Sequence, residues 1–165
     1  MHHAVRRGLV RSAGMGVAAT LFALGLSTPA RANGCSVTAT PVTFGSYNPT
    51  TRTMVSTVAS LTYTCTSKVR RGIRILLANG NIVRTMRQPG AEAIYKRDSL
   101  HFLLTLDPAG TIPWGDGTGG TQVYTDPHPP LNQPVTVQIY GFLPESQDPV
   151  PGQYQDALRV IADFW

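Results

Sequence analysis

The sequence is poor in the residue types that most often build catalytic and metal sites. It has 165 residues but only two cysteines and four histidines, and His2 and His3 belong to a segment that we expect to be removed. His101 and His128 remain, far apart, and two isolated histidines make a poor metal site. There is also no Gly-x-Ser-x-Gly elbow, His-Glu-x-x-His pair or P-loop. We expect no enzymatic activity and no cofactor; a Ser-His-Asp arrangement from distant segments is the alternative left open.

A hydrophobic run of transmembrane length is also missing. The apolar stretch at residues 13–26 is about 14 residues long, whereas a membrane span needs about 20. It follows a basic start with three arginines and precedes the small-x-small motif Ala30-Arg31-Ala32, the three parts of a secretory signal peptide in order. We expect cleavage between Ala32 and Asn33, a mature domain at residues 33–165, and no stable insertion into a membrane.

The expected mature chain carries little net charge. The full chain has a formal charge of +5, but residues 1–32 hold four arginines and no acid, so ten basic residues face nine acids afterwards. A net charge of +1 does not favour nucleic acid as a partner.

The two cysteines, Cys35 and Cys65, form an even pair in an exported chain, which predicts a disulfide. Its loop of about 31 residues would restrict the unfolded chain by roughly 3.5–4 kcal/mol. No thiol then remains for catalysis or metal binding.

Apolar and polar residues alternate with the period of β-strands. The clearest runs lie at residues 61–65, 73–77, 100–106, 135–140 and 158–164. Clusters of glycine, proline and asparagine separate them, and only residues 91–97 suggest a helical turn. About seven short strands predict an antiparallel β-sandwich, because a parallel sheet would need crossover helices.

A glycine-rich loop suggests two hypotheses. It reads Trp114, Gly115, Asp116, Gly117 and Thr118, and Gly-Asp-Gly runs also occur in calcium-binding repeats. However, this is a single copy with one acid, and a calcium site needs six or more oxygens. We favour a structural loop with Trp114 packed as its anchor, and no metal.

Several motifs, taken in order, resemble the spore coat protein U domain family. The resemblance spans essentially the whole expected mature chain. Its pieces are Cys35-Ser36-Val37, Phe44-Gly45-Ser46-Tyr47-Asn48-Pro49, Tyr63-Thr64-Cys65, Arg84-x-Met86, Leu100-x-Phe102-x-Leu104 with Asp107, the Trp114 loop, Tyr140-Gly141-Phe142-Leu143-Pro144 with Gln147, and Pro151-Gly152-Gln153-Tyr154-Gln155-Asp156.

The resemblance implies a subunit of an archaic chaperone-usher pilus, or a related spore-coat or surface protein. Family members have an incomplete immunoglobulin-like sandwich that lacks its last strand. A periplasmic chaperone fills the resulting groove first, and the N-terminal strand of the next subunit replaces it, a case of β-strand addition. The implied partners are this chaperone, an outer-membrane usher and neighbouring subunits. The implied route leads through the periplasm to the cell surface.

Four alternating residues of the last run are our candidates for the groove or its edge: Leu158, Val160, Ala162 and Phe164. The alternative is an ordinary buried strand face.

The expected mature chain has a short start. Only Asn33 and Gly34 would precede Cys35, whereas a donor strand needs on the order of ten residues. We therefore expect a chain that accepts a strand without donating one, at a distal or tip position, or a coat protein that does not polymerise. A tip adhesin for a surface or glycan is a further hypothesis, and it would use exposed aromatic residues such as Trp114, Tyr124 or Tyr140.

Overall fold

A computed structural model describes residues 34–69, 71–89 and 99–164. This part of the chain contains eight β-strands and no helix, which confirms the all-β prediction. There are eight strands where the sequence predicts about seven, and two of them, β4 and β6, have only four and three residues. The strands are β1 Cys35–Ala39, β2 Val55–Cys65, β3 Ile73–Leu77, β4 Arg84–Arg87, β5 Ser99–Thr105, β6 Tyr124–Asp126, β7 Pro134–Leu143 and β8 Val160–Phe164.

Some predictions fall outside the described residues. These are the signal peptide at residues 1–32, its cleavage between Ala32 and Asn33, and the helical turn at residues 91–97. They stay predictions.

The described strands form two antiparallel sheets. One has five strands in the order β1-β2-β7-β5-β4, and the other has three in the order β6-β3-β8. Every pairing between these strands is antiparallel, as the sequence predicts for a sandwich.

The pairing of β2 with β7 is the longest ladder in the described part of the molecule. It runs from Val55 opposite Leu143 to Thr64 opposite Pro134. Successive side chains of a strand point to opposite faces, so one set of alternating residues faces the second sheet. In β2 this set includes Ala59, Leu61 and Tyr63, all buried. The alternation therefore places the core between the two sheets.

The disulfide is confirmed and fastens the first strand. Cys35 opens β1 and lies opposite Cys65, the last residue of β2, with the two sulfurs 2.05 Å apart. In the described part of the chain, β1 lies at an edge of the five-stranded sheet and pairs with β2. The disulfide therefore adds a covalent link between this edge strand and its neighbour.

Candidate functional site

The last strand, β8, is open along one edge. It pairs with β3, from Ile73 opposite Phe164 to Leu77 opposite Val160, and it ends the order of its sheet. Within residues 34–69, 71–89 and 99–164, no strand pairs with its other edge. An unpaired strand edge presents backbone N–H and C=O groups that can bind a further strand.

The pairing pattern indicates which backbone groups face the open edge. The N–H of Ala78 donates to the carbonyl of Arg159 at 2.9 Å, just before β8 begins. Along an antiparallel pair, residues alternate between those that hydrogen-bond the partner and those that do not. By this alternation, the backbone groups of Val160, Ala162 and Phe164 point to the open edge.

The side chains of the same three residues turn toward the core but are not fully covered by it. Val160, Ala162 and Phe164, together with Leu158 just before the strand, pack against the buried cluster while each stays partly exposed. An ordinary buried strand face would be as covered as that of β3. Phe164 also lies near the start of β1, because a Cβ on Gly34 would come within 3.3 Å of its ring.

An apolar cavity of about 560 Å³ opens beside β8 and reaches the interior of the sandwich. Leu158 and Val160 line it, whereas Ala162 and Phe164 lie outside its lining. Its deeper wall consists of core side chains from both sheets, among them Leu61, Leu77, Phe102, Leu104 and Ile139. Two of the four candidate residues thus border a cavity whose lining includes core side chains, and their role in accepting a strand stays a prediction.

A second cavity of about 700 Å³ adjoins the first, and we call the two together the groove. Residues 42–47 form one of its walls and residues 149–154 the other. Its floor includes Met86, Leu100 and Leu143 from the five-stranded sheet. The two cavities are neighbours, because they share four lining residues, Val42, Phe44, Met86 and Tyr154.

Trp114 packs the glycine-rich loop against the core. The Trp114 side chain is 4% exposed, and its indole N–H donates to the carbonyl of Ile75 in β3 at 3.1 Å. A Cβ on Gly115 would lie 2.3 Å from the hydroxyl of Thr121, so the tight loop excludes larger residues there. Because Trp114 is buried, the prediction that it is one of the exposed aromatic residues available for adhesion is wrong.

Asp116 turns back onto its own loop. Its carboxylate accepts hydrogen bonds from the Thr118 hydroxyl at 2.6 Å and the Thr118 N–H at 2.9 Å. These bonds hold the pKa of Asp116 below its usual range because they stabilise the charged form. In the described part of the chain, no three His, Cys, Asp or Glu side chains come together as a metal site.

The sequence did not reveal that Arg84 is buried. This β4 residue is 6% exposed, and its guanidinium donates to the side-chain oxygen of Asn79 at 3.0 Å and to the Trp114 carbonyl at 3.4 Å. Burial lowers the pKa of Arg84, because desolvation disfavours the charged form. The guanidinium thus connects β4 to the Trp114 loop. Arg84 lies two residues before Met86 in β4 and therefore on the same face of the strand, which was the sequence signal for its burial.

A second polar cluster joins β2 to β6. The hydroxyl of Tyr63, 1% exposed as a residue, donates to the carboxylate of Asp126 at 2.5 Å and lies 3.4 Å from the hydroxyl of Tyr124. Burial, followed by these hydrogen bonds, raises the pKa of Tyr63. The cluster holds the edge strand β6 against the five-stranded sheet.

The two remaining histidines lie on exposed parts of the molecule. The His101 ring contacts the hydroxyl of Thr85 across β4 and β5 at 3.2 Å. His128 follows β6, where its N–H donates to the carboxylate of Asp126 at 2.9 Å. Each histidine thus forms a hydrogen bond with a nearby residue, through the ring of His101 and through the backbone of His128.

Comparison with known proteins settles the family. Residues 20–161 match the model of the Spore Coat Protein U domain. The chain belongs to this family. The match covers most of the chain and includes both walls of the groove, the Trp114 loop and the start of β8.

One relative is Protein U of Myxococcus xanthus. The two are 36% identical over 67 residues, which is 41% of this chain. The matched part spans about 35% of Protein U. Separately, none of the described residues belongs to a helix long and apolar enough to cross a membrane.

Proposed function

We propose that this protein is an exported structural subunit of a cell-surface assembly and that it accepts a β-strand from a partner along β8. One observation carries the proposal: at Val160, the open edge of β8 borders a groove whose lining includes core side chains. A free edge supplies unpaired backbone groups, and a groove supplies room for side chains. Either alone is common at protein surfaces, but their coincidence suits an incoming strand.

The incoming strand would bind in two ways. Its backbone would pair with the groups of Val160, Ala162 and Phe164, each hydrogen bond contributing about 0.5–1.5 kcal/mol net. Its alternate side chains would enter the groove over Leu158 and cover partly exposed apolar side chains such as Val42 and Val160. The first contribution gives affinity independent of sequence, and the second selects the register.

Membership of the family supports an assembly route through an archaic chaperone-usher system. In this proposal a periplasmic chaperone supplies the first strand, an outer-membrane usher directs assembly, and a neighbouring pilus subunit supplies the final strand. Cleavage after Ala32 would leave only Asn33 and Gly34 before Cys35, which suits a distal or tip position. The role is structural rather than catalytic.

A second candidate is a coat protein that does not polymerise. The family's description as a spore coat domain and the similarity to Protein U favour it. Co-expression with a periplasmic chaperone of such a system separates the two. Stable co-purification supports the pilus route, and a soluble, monomeric chain that ignores the chaperone supports the coat.

Strand acceptance itself is tested with synthetic peptides in which valine and threonine alternate. We expect the mature chain to bind such a peptide and to ignore a scrambled peptide of the same composition. Val160→Lys places a charge toward the groove and should abolish binding. Ile161→Lys is the matched control, because its side chain alternates to the opposite face and should leave binding intact. Equal binding by both variants contradicts the proposal.

A further inference from the structure

Two hydrogen bonds between Tyr47 and Gln147 link the wall at residues 42–47 to the segment that leads into the other wall. The segment from Pro144 to Asp156, here called the strap, connects β7 toward β8 and contributes the wall at residues 149–154. Tyr47 belongs to the opposite wall. Its hydroxyl accepts the N–H of Gln147 at 2.9 Å and donates to the carbonyl of Gln147 at 3.2 Å. The two bonds bridge this wall and the strap.

The Gln147 side chain fixes this bridge to the five-stranded sheet. Its amide oxygen accepts the backbone N–H of His101 at 2.6 Å, and its amide nitrogen donates to the His101 carbonyl at 2.9 Å and the Pro144 carbonyl at 3.0 Å. Strand β7 ends at Leu143, so the amide takes the place that a strand residue would occupy beside His101. Gln147 is therefore held by its backbone and by its side chain.

The other end of the strap is fastened as well. Gln155 and Arg87 exchange two backbone hydrogen bonds, both 2.9 Å long. Between the two attachments, the Tyr154 hydroxyl donates to the Val150 carbonyl at 2.6 Å. The strap is thus fastened at both ends, and Tyr47, which lines the groove, is hydrogen-bonded to the first of these attachments.

We propose that the Tyr47–Gln147 bridge is the end stop of the groove and limits the length of strand that the groove accepts. This inference rests on the proposed function. A strand that pairs with β8 continues beneath the strap until its last residue meets the bridge. Residues beyond that point have no room and contribute no binding. Tyr47 and Gln147 thus act as positioning residues that select the register of the partner strand.

The test measures affinity as a function of peptide length. Alternating peptides of about 7 to about 13 residues rise about 3.3 Å per residue, enough to extend past β8 and beneath the strap. With the mature chain, affinity should increase with length and then stop increasing. Tyr47→Ala removes the ring that lines the groove as well as its bonds to Gln147, so the limit should move to longer peptides, with roughly two- to twelvefold tighter binding per added backbone hydrogen bond.

Tyr140→Ala is the matched control, because Tyr140 lies in β7, its hydroxyl donates to Gln138, and it lines neither cavity of the groove. It should leave the limit unchanged. If Tyr47→Ala binds short peptides like the original chain and keeps the same limit, the end stop is wrong while strand acceptance stands. If the original chain binds no peptide of any length, strand acceptance fails and the end stop with it.

Discussion

Strands β3 and β8 lie side by side in one sheet and share an alternating apolar pattern, but their surroundings differ. β3 has a neighbour on both edges, and its residues Ile73, Ile75 and Leu77 are 0–1% exposed. β8 has a neighbour on one edge within the described chain, and its inward side chains are partly exposed. The pattern of a strand therefore indicates which face is apolar, whereas its neighbours decide whether that face becomes core.

The comparison predicts that truncating an apolar side chain to alanine costs more stability in β3 than beside β8. Ile75→Ala in β3 should lower the free energy of unfolding by about 2–5 kcal/mol, because Ile75 is fully buried, lines neither cavity of the groove, and would leave a cavity in a closed core. Leu158→Ala beside β8 should cost about 1 kcal/mol, because its side chain is only partly buried. Denaturant titration of both variants measures the difference. Equal costs would mean that the groove is already filled.

The disulfide gives the next largest expected effect. Replacing both cysteines with alanine should lower the free energy of unfolding by about 2–4 kcal/mol, since the unfolded chain regains its loop entropy. Reduction of the original chain should reproduce the loss. A loss well below about 1 kcal/mol would show that β1 is held by the sheet alone, and the contrast between a fastened first strand and an open last strand would disappear.

Proline substitutions can distinguish the open edge of β8 from the edge that pairs with β3. Ala162→Pro removes an N–H that we place on the open edge, so the unfolding free energy should change by less than about 1 kcal/mol. Binding of an alternating peptide should weaken about tenfold or more, as the ring also obstructs the edge.

Ile161→Pro is the control for this change. Its N–H should face β3, so the substitution should destabilise the sheet itself. If both proline variants lose stability equally, the assignment of the open edge is wrong.

The smallest effect concerns the loop that packs on β3. The folded-state pKa of Asp116 lies below its unfolded value, so its stabilising contribution is present above the unfolded pKa of about 3.9 and is lost as pH falls through the folded pKa. Asp116→Asn should flatten the decline of stability in acid and change little at neutral pH. Thermal unfolding between pH 2 and pH 7 measures this. If the variant loses stability in acid as steeply as the original chain, Asp116 does not contribute to the pH dependence of stability.

Local pattern was enough to predict five of the eight described strands, wholly or in part, and the disulfide, whereas β1, β4 and β6 match none of the predicted runs. The alternation at residues 73–77 matches β3, and the even pair of cysteines matches the bond between β1 and β2. The strand prediction depends on residues that are neighbours in sequence, and the disulfide prediction depends on the number of cysteines. The last run was placed less well, since β8 begins at Val160 and leaves Leu158 outside the strand.

The groove and its supports depend on residues that are distant in sequence. Tyr47 meets Gln147 across 100 positions, and the Arg84 guanidinium reaches Trp114 across 30. No period or motif encodes such pairings, because they arise from how the strap and loops cross the sheets. The sequence could thus predict an apolar face near the C-terminus, but not that residues 42–47 and 149–154 would form the walls around it.

Hydrogen exchange along β8 tests strand acceptance most directly. In the free chain, the amides of Val160, Ala162 and Phe164 should exchange much faster than those of Ile161 and Asp163, which face β3. An alternating peptide should slow the first three and leave the other two unchanged. Uniform protection of all five amides before any peptide is added would contradict the account, because the edge of β8 would then already be paired.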